Sequence, residues 1–243
     1  MSFDSCAEAL LCDDICVLPT ETVYGLACSA LSTKAISQVF LLKGRPSCNP
    51  LIVHVLNHDS AKEFCFTNDL SKKLTEKFWP GPLTLVLPKK NCIPNEITAG
   101  LNSVAVRAPA HPIFRKILNS VKLPIAAPSA NPSNKLSPTK YQDVLDAFGE
   151  KCPPIIDGGQ CKLGIESTVL DLTSDKPCIL RAGPITKREI GAVLNIEIVD
   201  NSAALITSKE PSRKSPGQGI KHYAPNTPLY LHSTVQSMIS SKI

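Results

Sequence analysis

What constrains this chain most is a regular alternation: short apolar runs of strand length take turns with segments whose apolar residues recur at helical spacing, and proline or glycine closes many of them. Residues 15–18 form an apolar run ended by Pro19, residues 51–55 a second, and residues 83–87 a third that follows the breaker Trp79-Pro80-Gly81-Pro82. Further strands are expected at 104–107, 124–126, 155–157, 168–172 and 178–181. Ile36, Val39, Phe40 and Lys43 share one helical face, with Ser32 or Thr33 as cap and Gly44 then Pro46 as stop. Helices are also expected at 70–78, 112–118, 139–148 and 186–194, while 20–26 reads as a functional loop. Alternation of this kind builds an α/β domain around a twisted sheet flanked by helices. Several strand-to-strand connections are too short for a helical crossover, so the sheet is expected to be mixed.

With 243 residues, 43% of them hydrophobic, the chain can bury a full core, which excludes a disordered polymer. Periodicity fades near Val199. Residues 1–200 are therefore expected to form one globular domain, 201–225, rich in Ser, Lys, Pro and Gly, a linker, and 226–243 a piece too small to be a domain. Ten cysteines contain no CxxC pair and read as reduced thiols that fill the core. The first residues carry Asp4 and Glu8 and no basic leader, and no apolar stretch has membrane-spanning length. The expectation is a soluble, cytoplasmic protein without a membrane partner. Its net charge of +5, 26 basic against 21 acidic residues, is dispersed and favours phosphate-bearing ligands only weakly.

Several chemistries are excluded by what is missing: there is no GxxxxGK[ST] loop, no GxGxxG after a strand, no HExxH and no Cys/His zinc spacing. His54 and His58 are four apart, yet His54 falls in a strand-like run, so no metal ligand is assigned. Lys43-Gly44-Arg45 sets two cations where a helix ends, and both can converge on a polyphosphate. The same residues would also serve simply to offset the helix dipole. Pro128-Ser129-Ala130-Asn131 and Ser137-Pro138-Thr139 bring hydroxyls and free N–H groups to tight loops that suit phosphate oxygens, as ordinary turn and capping chemistry also would. Segments 20–26, 49–54, 103–107 and 166–168 each put polar residues at strand ends.

In chain order, the pieces PTETVYGL, KGRPSCNPLIVH, FWPGPLTLVLP, TAGLNSVAVR, APSAN, DGG, ESTVLDLT, LRAGPIT and SPGQGIKHYAP resemble one family, the YrdC-like threonylcarbamoyl-AMP synthases in their long form, over about residues 19–225. The resemblance implies a twisted mixed α/β sheet with a concave, positively lined cavity. It also implies an L-threonylcarbamoyladenylate synthase, a nucleotidyltransferase making threonylcarbamoyl-AMP and pyrophosphate from L-threonine, bicarbonate and ATP for tRNA modification. Carried over by position, Thr22, His54, Arg107, Ala127 and Ser167 would hold threonine, with Arg107 pairing its carboxylate in a bidentate clamp. Lys43, Arg45, Asn49, Ser103, Ser129, Asn131, Ser137 and Arg181 would surround ATP, and Tyr223 would close over it from a lid. Lys43 and Arg45, with Mg2+ accompanying ATP, would neutralise developing charge in place of an acid–base dyad. On this likeness residues 1–200 are the YrdC-like catalytic domain, 201–225 the linker or lid, and 226–243 the remnant start of a truncated C-terminal domain. Implied partners are tRNA or double-stranded RNA and a downstream tRNA threonylcarbamoyl transferase. A non-catalytic RNA-binding module of the same fold and a carbamoyl-transferring domain of hydrogenase maturation proteins are the competing readings. The complete threonine and ATP sets favour the synthase.

Overall fold

The structure, a computed structural model, describes residues 3–202. The chain opens with α1 (Phe3–Leu11), which buries Cys6, Ala7 and Leu10 at helical spacing. β1 (Cys16–Leu18) and β2 (Gly25–Ser29) follow as an antiparallel pair, then α2 (Thr33–Lys43). The Ser32 hydroxyl caps α2 by accepting the Ala35 amide at 3.2 Å, and Gly44 ends it at φ 58°, where a residue without a Cβ sits at no steric cost. Next come β3 (Ile52–His54), α3 (His58–Ala61), α4 (Asp69–Phe78), β4 (Leu83–Pro88), α5 (Asn95–Thr98), β5 (Ser103–Arg107), α6 (Pro112–Val121) and β6 (Ile125–Ala126). α7 (Tyr141–Phe148), β7 (Thr168–Asp171), β8 (Cys178–Arg181), α8 (Lys187–Leu194) and β9 (Val199–Asp200) complete it.

The strands form one sheet in the order β1-β2-β6-β3-β5-β4-β7-β8-β9. It is mixed, as the short connections require: β3 with β5, β4 with β7 and β8 with β9 run parallel, and the remaining neighbours antiparallel. Successive side chains alternate between its faces. Leu26, Val53, Leu85, Val106 and Leu170 face one layer, which α2, α4, α7 and α8 cover. On the other face α1 and α6 pack over β1, β2 and β6. The rest of that face, Ile52, Ala105, Val86, Val169, Cys178 and Leu180, is a cluster made of strand residues alone. His54 and Arg107 point to this same face by the period of two.

The structure adds α1, α3, α5, β2 and β9 to the expected elements. β2 was concealed because Gly25, Ala27, Cys28 and Ser29 are small or polar, and it claims the end of segment 20–26 that the sequence suggested was all loop. The strand expected at 155–157 shrinks to a single bridge between Ile155 and Val17. A Cβ at Gly158 would lie 2.5 Å from the Pro19 ring, so only glycine fits where the chain passes this close. All ten cysteines are free, and Cys6, Cys16, Cys28, Cys65, Cys161 and Cys178 are buried as core fillers. Among the described residues no helix is long and apolar enough to cross a membrane. The expected linker beyond Ser202, Tyr223 and the segment 226–243 lie outside the described residues.

Candidate active site

Loop 20–24 is held by its own side chains before any ligand is considered. The Thr20 hydroxyl donates to the Val23 carbonyl at 2.7 Å and accepts the amides of Thr22 and Val23, both at 3.1 Å. The Tyr24 hydroxyl donates to the Gly159 carbonyl at 2.7 Å and accepts the Gly158 amide at 3.0 Å, tying this loop to the Asp157-Gly158-Gly159 turn. Burial pushes the Tyr24 phenol up to about 12, so it stays a neutral strut.

Against this loop the ends of β3, β5, β6 and β8 and the start of β7 enclose an inner cavity of about 50 Å³. Eight of the expected residues line it: Thr22, Arg45, His54, Arg107, Ala127, Ser129, Ser167 and Arg181. Glu166 and Arg181 also line an outer cavity of about 1180 Å³, which contains Ser137 and the apolar side chains of Leu136 and Ile165. The two cavities therefore meet at Glu166 and Arg181, and the outer one has the size of a nucleotide-scale site.

Arg107 is not a free clamp. Its guanidinium is buried, and Nη2 pairs with Glu21 Oε1 at 2.7 Å, an ion pair in which neither atom has another partner in the protein. Nε donates to the Gly81 carbonyl at 3.2 Å and Nη1 to Thr22 Oγ1 at 3.0 Å. Glu21 Oε2 accepts the Ala110 amide at 3.0 Å. Burial lowers the Arg107 pKa and the Glu21 carboxylate opposes that shift. Of five N–H donors three are engaged, which leaves one on each Nη for a ligand carboxylate.

Lys43 is the clearest departure from expectation. Rather than lining either cavity, its ammonium is buried and donates to the backbone carbonyls of Ser129 and Asn131. Burial, helped by Arg45 and opposed by Glu166, holds its pKa well below the ordinary lysine range. It clamps the 128–131 loop onto the end of α2. Arg45 donates to neighbouring carbonyls, from Nε to that of Asn49 at 3.0 Å and from Nη2 to that of Pro50 at 2.8 Å. Arg181 donates from Nε to the Ser167 carbonyl and from Nη2 to Ser167 Oγ, each at 3.1 Å, while Thr84 and Ser167 hydroxyls share a 2.7 Å hydrogen bond.

His54 is buried against Phe114, ring centroids 5.1 Å apart, and its Nδ1 lies 3.3 Å from the Ile125 carbonyl. Burial and Arg107 push its pKa down to about 3, so the ring is neutral at physiological pH. His58 turns elsewhere: its Nδ1 meets Thr75 Oγ1 at 3.0 Å beside a separate cavity of about 450 Å³. No group of three or more His, Cys, Asp or Glu among the described residues is placed to hold a metal ion.

Asn49, Asn131 and Ser103 also stand outside the inner lining. Asn49 and Asn131 are buried, and the Oδ1 of each has no partner. A buried unpaired amide oxygen costs about 1–3 kcal/mol and accepts only from a donor, so a hydroxyl or amino group, not a bare phosphate oxygen, would satisfy it. Ser103 opens β5 opposite Pro88, at the other end of the strand from Arg107. Two functional candidates escaped the sequence reading, Glu21 and Glu166. Their signal was a carboxylate within a polar strand-end segment, but their cationic neighbours are distant in sequence.

A family model described as telomere recombination, Sua5/YciO/YrdC, matches residues 8–183, and one described as threonylcarbamoyl-AMP synthase, C-terminal domain, matches residues 185–242. The chain is 44% identical to the threonylcarbamoyl-AMP synthase of Pyrococcus abyssi, over 93% of this chain and 66% of that protein. It is 42% identical to that of Bacillus subtilis, over 92% and 64%. It thus spans about two thirds of the length of these curated relatives. The crystal structure of P. abyssi Sua5 complexed with L-threonine superposes with a TM-score of 0.89 at 40% identity, covering 98% of this chain and 71% of that one. Escherichia coli YciO shares the fold at 20% identity, TM-score 0.69, over 77% of this chain and 92% of that one. With a family model matched over most of its length, this chain belongs to the Sua5/YciO/YrdC family.

Proposed function

We propose that the chain is an L-threonylcarbamoyladenylate synthase, a nucleotidyltransferase that joins L-threonine, bicarbonate and ATP into threonylcarbamoyl-AMP and releases pyrophosphate. The observation that carries this reading is the junction of two cavities: an inner one with Arg107, Thr22, His54 and Ser167, and a nucleotide-sized outer one, sharing Glu166 and Arg181. The related Sua5 that was crystallised with L-threonine supports threonine as the amino acid.

The threonine carboxylate would take the two remaining Nη protons of Arg107, and its hydroxyl would face Thr22, Ser167 and the neutral His54 ring. ATP would lie in the outer cavity with its phosphates toward Arg45, Arg181, Ser129 and Ser137. Asn49 and Asn131, expected around ATP, are buried and line neither cavity. Lys43 would contribute by holding the 128–131 loop and by its charge. Magnesium would arrive as MgATP, bound to the phosphates. The carbamate oxygen would then attack the α-phosphorus and expel pyrophosphate, a step that rests on alignment and charge neutralisation. A tRNA-modifying threonylcarbamoyl transferase would consume the product.

The test is pyrophosphate release by the purified full chain with MgATP and bicarbonate, comparing threonine, serine and no amino acid. Threonine-dependent release is expected, with partial activity on serine because one methyl group discriminates by only about 1–3 kcal/mol. Release that ignores the amino acid, or none at all despite ATP binding, would overturn the assignment.

A further inference from the structure

The charges lining the inner cavity are unbalanced in a way that singles out one residue. Arg45, Arg107 and Arg181 are cations, His54 is neutral, and Glu166 is the only carboxylate in the lining. Glu21 lies close by, but it is not among the residues that line this cavity, and its carboxylate pairs with Arg107 and accepts the Ala110 amide. An α-amino acid brings one negative and one positive end. Its carboxylate has three arginines to choose from, whereas its ammonium has a single anionic partner, Glu166.

We propose that Glu166 is a catalytic residue that receives the proton of the substrate ammonium and so frees the amine for carbamate formation. This rests on the synthase reading above. The ammonium gives one proton to the Glu166 carboxylate, and the nitrogen lone pair forms a C–N bond to the carbon of bicarbonate. The C–OH bond breaks and the departing hydroxide takes the proton from Glu166 to leave as water. The second nitrogen proton returns to Glu166 and passes to solvent. In sum, ammonium and bicarbonate become carbamate, water and one proton.

The surroundings favour this use of the carboxylate. Glu166 Oε1 accepts the Ser137 hydroxyl, which fixes the group at the mouth between the cavities. The position suits release of the proton to the open outer side. Around the outer cavity the charged neighbours of Glu166 are Lys135, Arg181 from β8, and Asp143 and Asp146 from α7. A permanently anionic group at this junction would repel both the carbamate and the α-phosphate, so a carboxylate that cycles through its neutral form is better suited there than a fixed charge.

The experiment uses the full chain and the variants Glu166→Gln and Glu166→Asp. Glu166→Gln keeps an oxygen to accept the Ser137 hydroxyl and removes the charge. At neutral pH its threonine-dependent pyrophosphate release is expected to fall about 10²-fold or more, with ATP affinity within a few-fold of the parent. The deficit should shrink steadily as the pH is raised and free threonine loses its own proton, and Glu166→Asp should restore part of the rate. A pH-independent deficit, or full activity in Glu166→Gln, would overturn the proposal. If the unmodified chain itself shows no threonine-dependent release, it is the synthase reading that fails.

Discussion

Glu21 and Arg107 form a pair whose value lies in its completeness. Two buried charges 2.7 Å apart stabilise little against an apolar replacement, but removing one leaves the other stranded, at a cost of about 3–5 kcal/mol. Glu21→Ala is therefore expected to lower the urea midpoint sharply, and Glu21→Leu combined with Arg107→Met to recover much of the loss. A double variant no more stable than Glu21→Ala would contradict this account. His54 makes a pH prediction. Its ring titrates at about 3 in the folded chain and near 6.5 when unfolded. Between these values the unfolded state binds the proton and the folded state does not, so stability falls as the pH drops and is unaffected above 6.5. The His54 share of the slope is at most about 1.4 kcal/mol per pH unit. Unfolding measured from pH 7 to 5 should be less pH-dependent in His54→Gln.

At the scale of elements, the start of β7 and the end of β8 are packed as tightly as the backbone allows. A Cβ on Gly183 would meet the Thr168 amide nitrogen at 2.4 Å and the Glu166 carbonyl oxygen at 2.7 Å. Neither contact is a side-chain end that could swing aside. Gly183→Ala is expected to cost about 3 kcal/mol and, by displacing Glu166 and Ser167, to raise the threonine KM more than the ATP KM. Calorimetry and initial rates would check both halves. The elements themselves were largely legible in the sequence. Ser32 and Gly44 marked α2 as they do in the structure, and the apolar runs at 83–87 and 168–172 became β4 and β7 within a residue. β2 was not, because a strand of small residues carries no apolar signal until its neighbours bury it.

Across the described residues, helices cover one face of the sheet and only the β1, β2 and β6 side of the other, and the site occupies the face whose apolar cluster is made of strand residues alone. Arg45, Arg107 and Arg181 concentrate there although the surplus of charge in the chain is small and dispersed. ATP affinity should accordingly weaken several-fold between low and high salt, as screening reaches the open outer cavity. Titration calorimetry at two ionic strengths checks this, and a salt-independent affinity would mean that the arginines do not face the phosphates.

Local order was readable along the chain because its causes act within a few residues: apolar periodicity, a capping serine, a proline that ends a strand, a glycine that ends a helix. The resemblance in motif order also named eight of the residues that line the inner cavity. What no local pattern could supply was the pairing of charges. Lys43 reads as a helix-end cation free to meet a phosphate, and it is the crossing of α2 with the 128–131 loop that turns it onto two carbonyls. Arg107 reads as an open clamp, and the loop before β2 delivers Glu21 to it. Both outcomes depend on strand order in a mixed sheet, which brings together groups that are distant in sequence, and on burial, which makes a cation take whatever partner the fold provides.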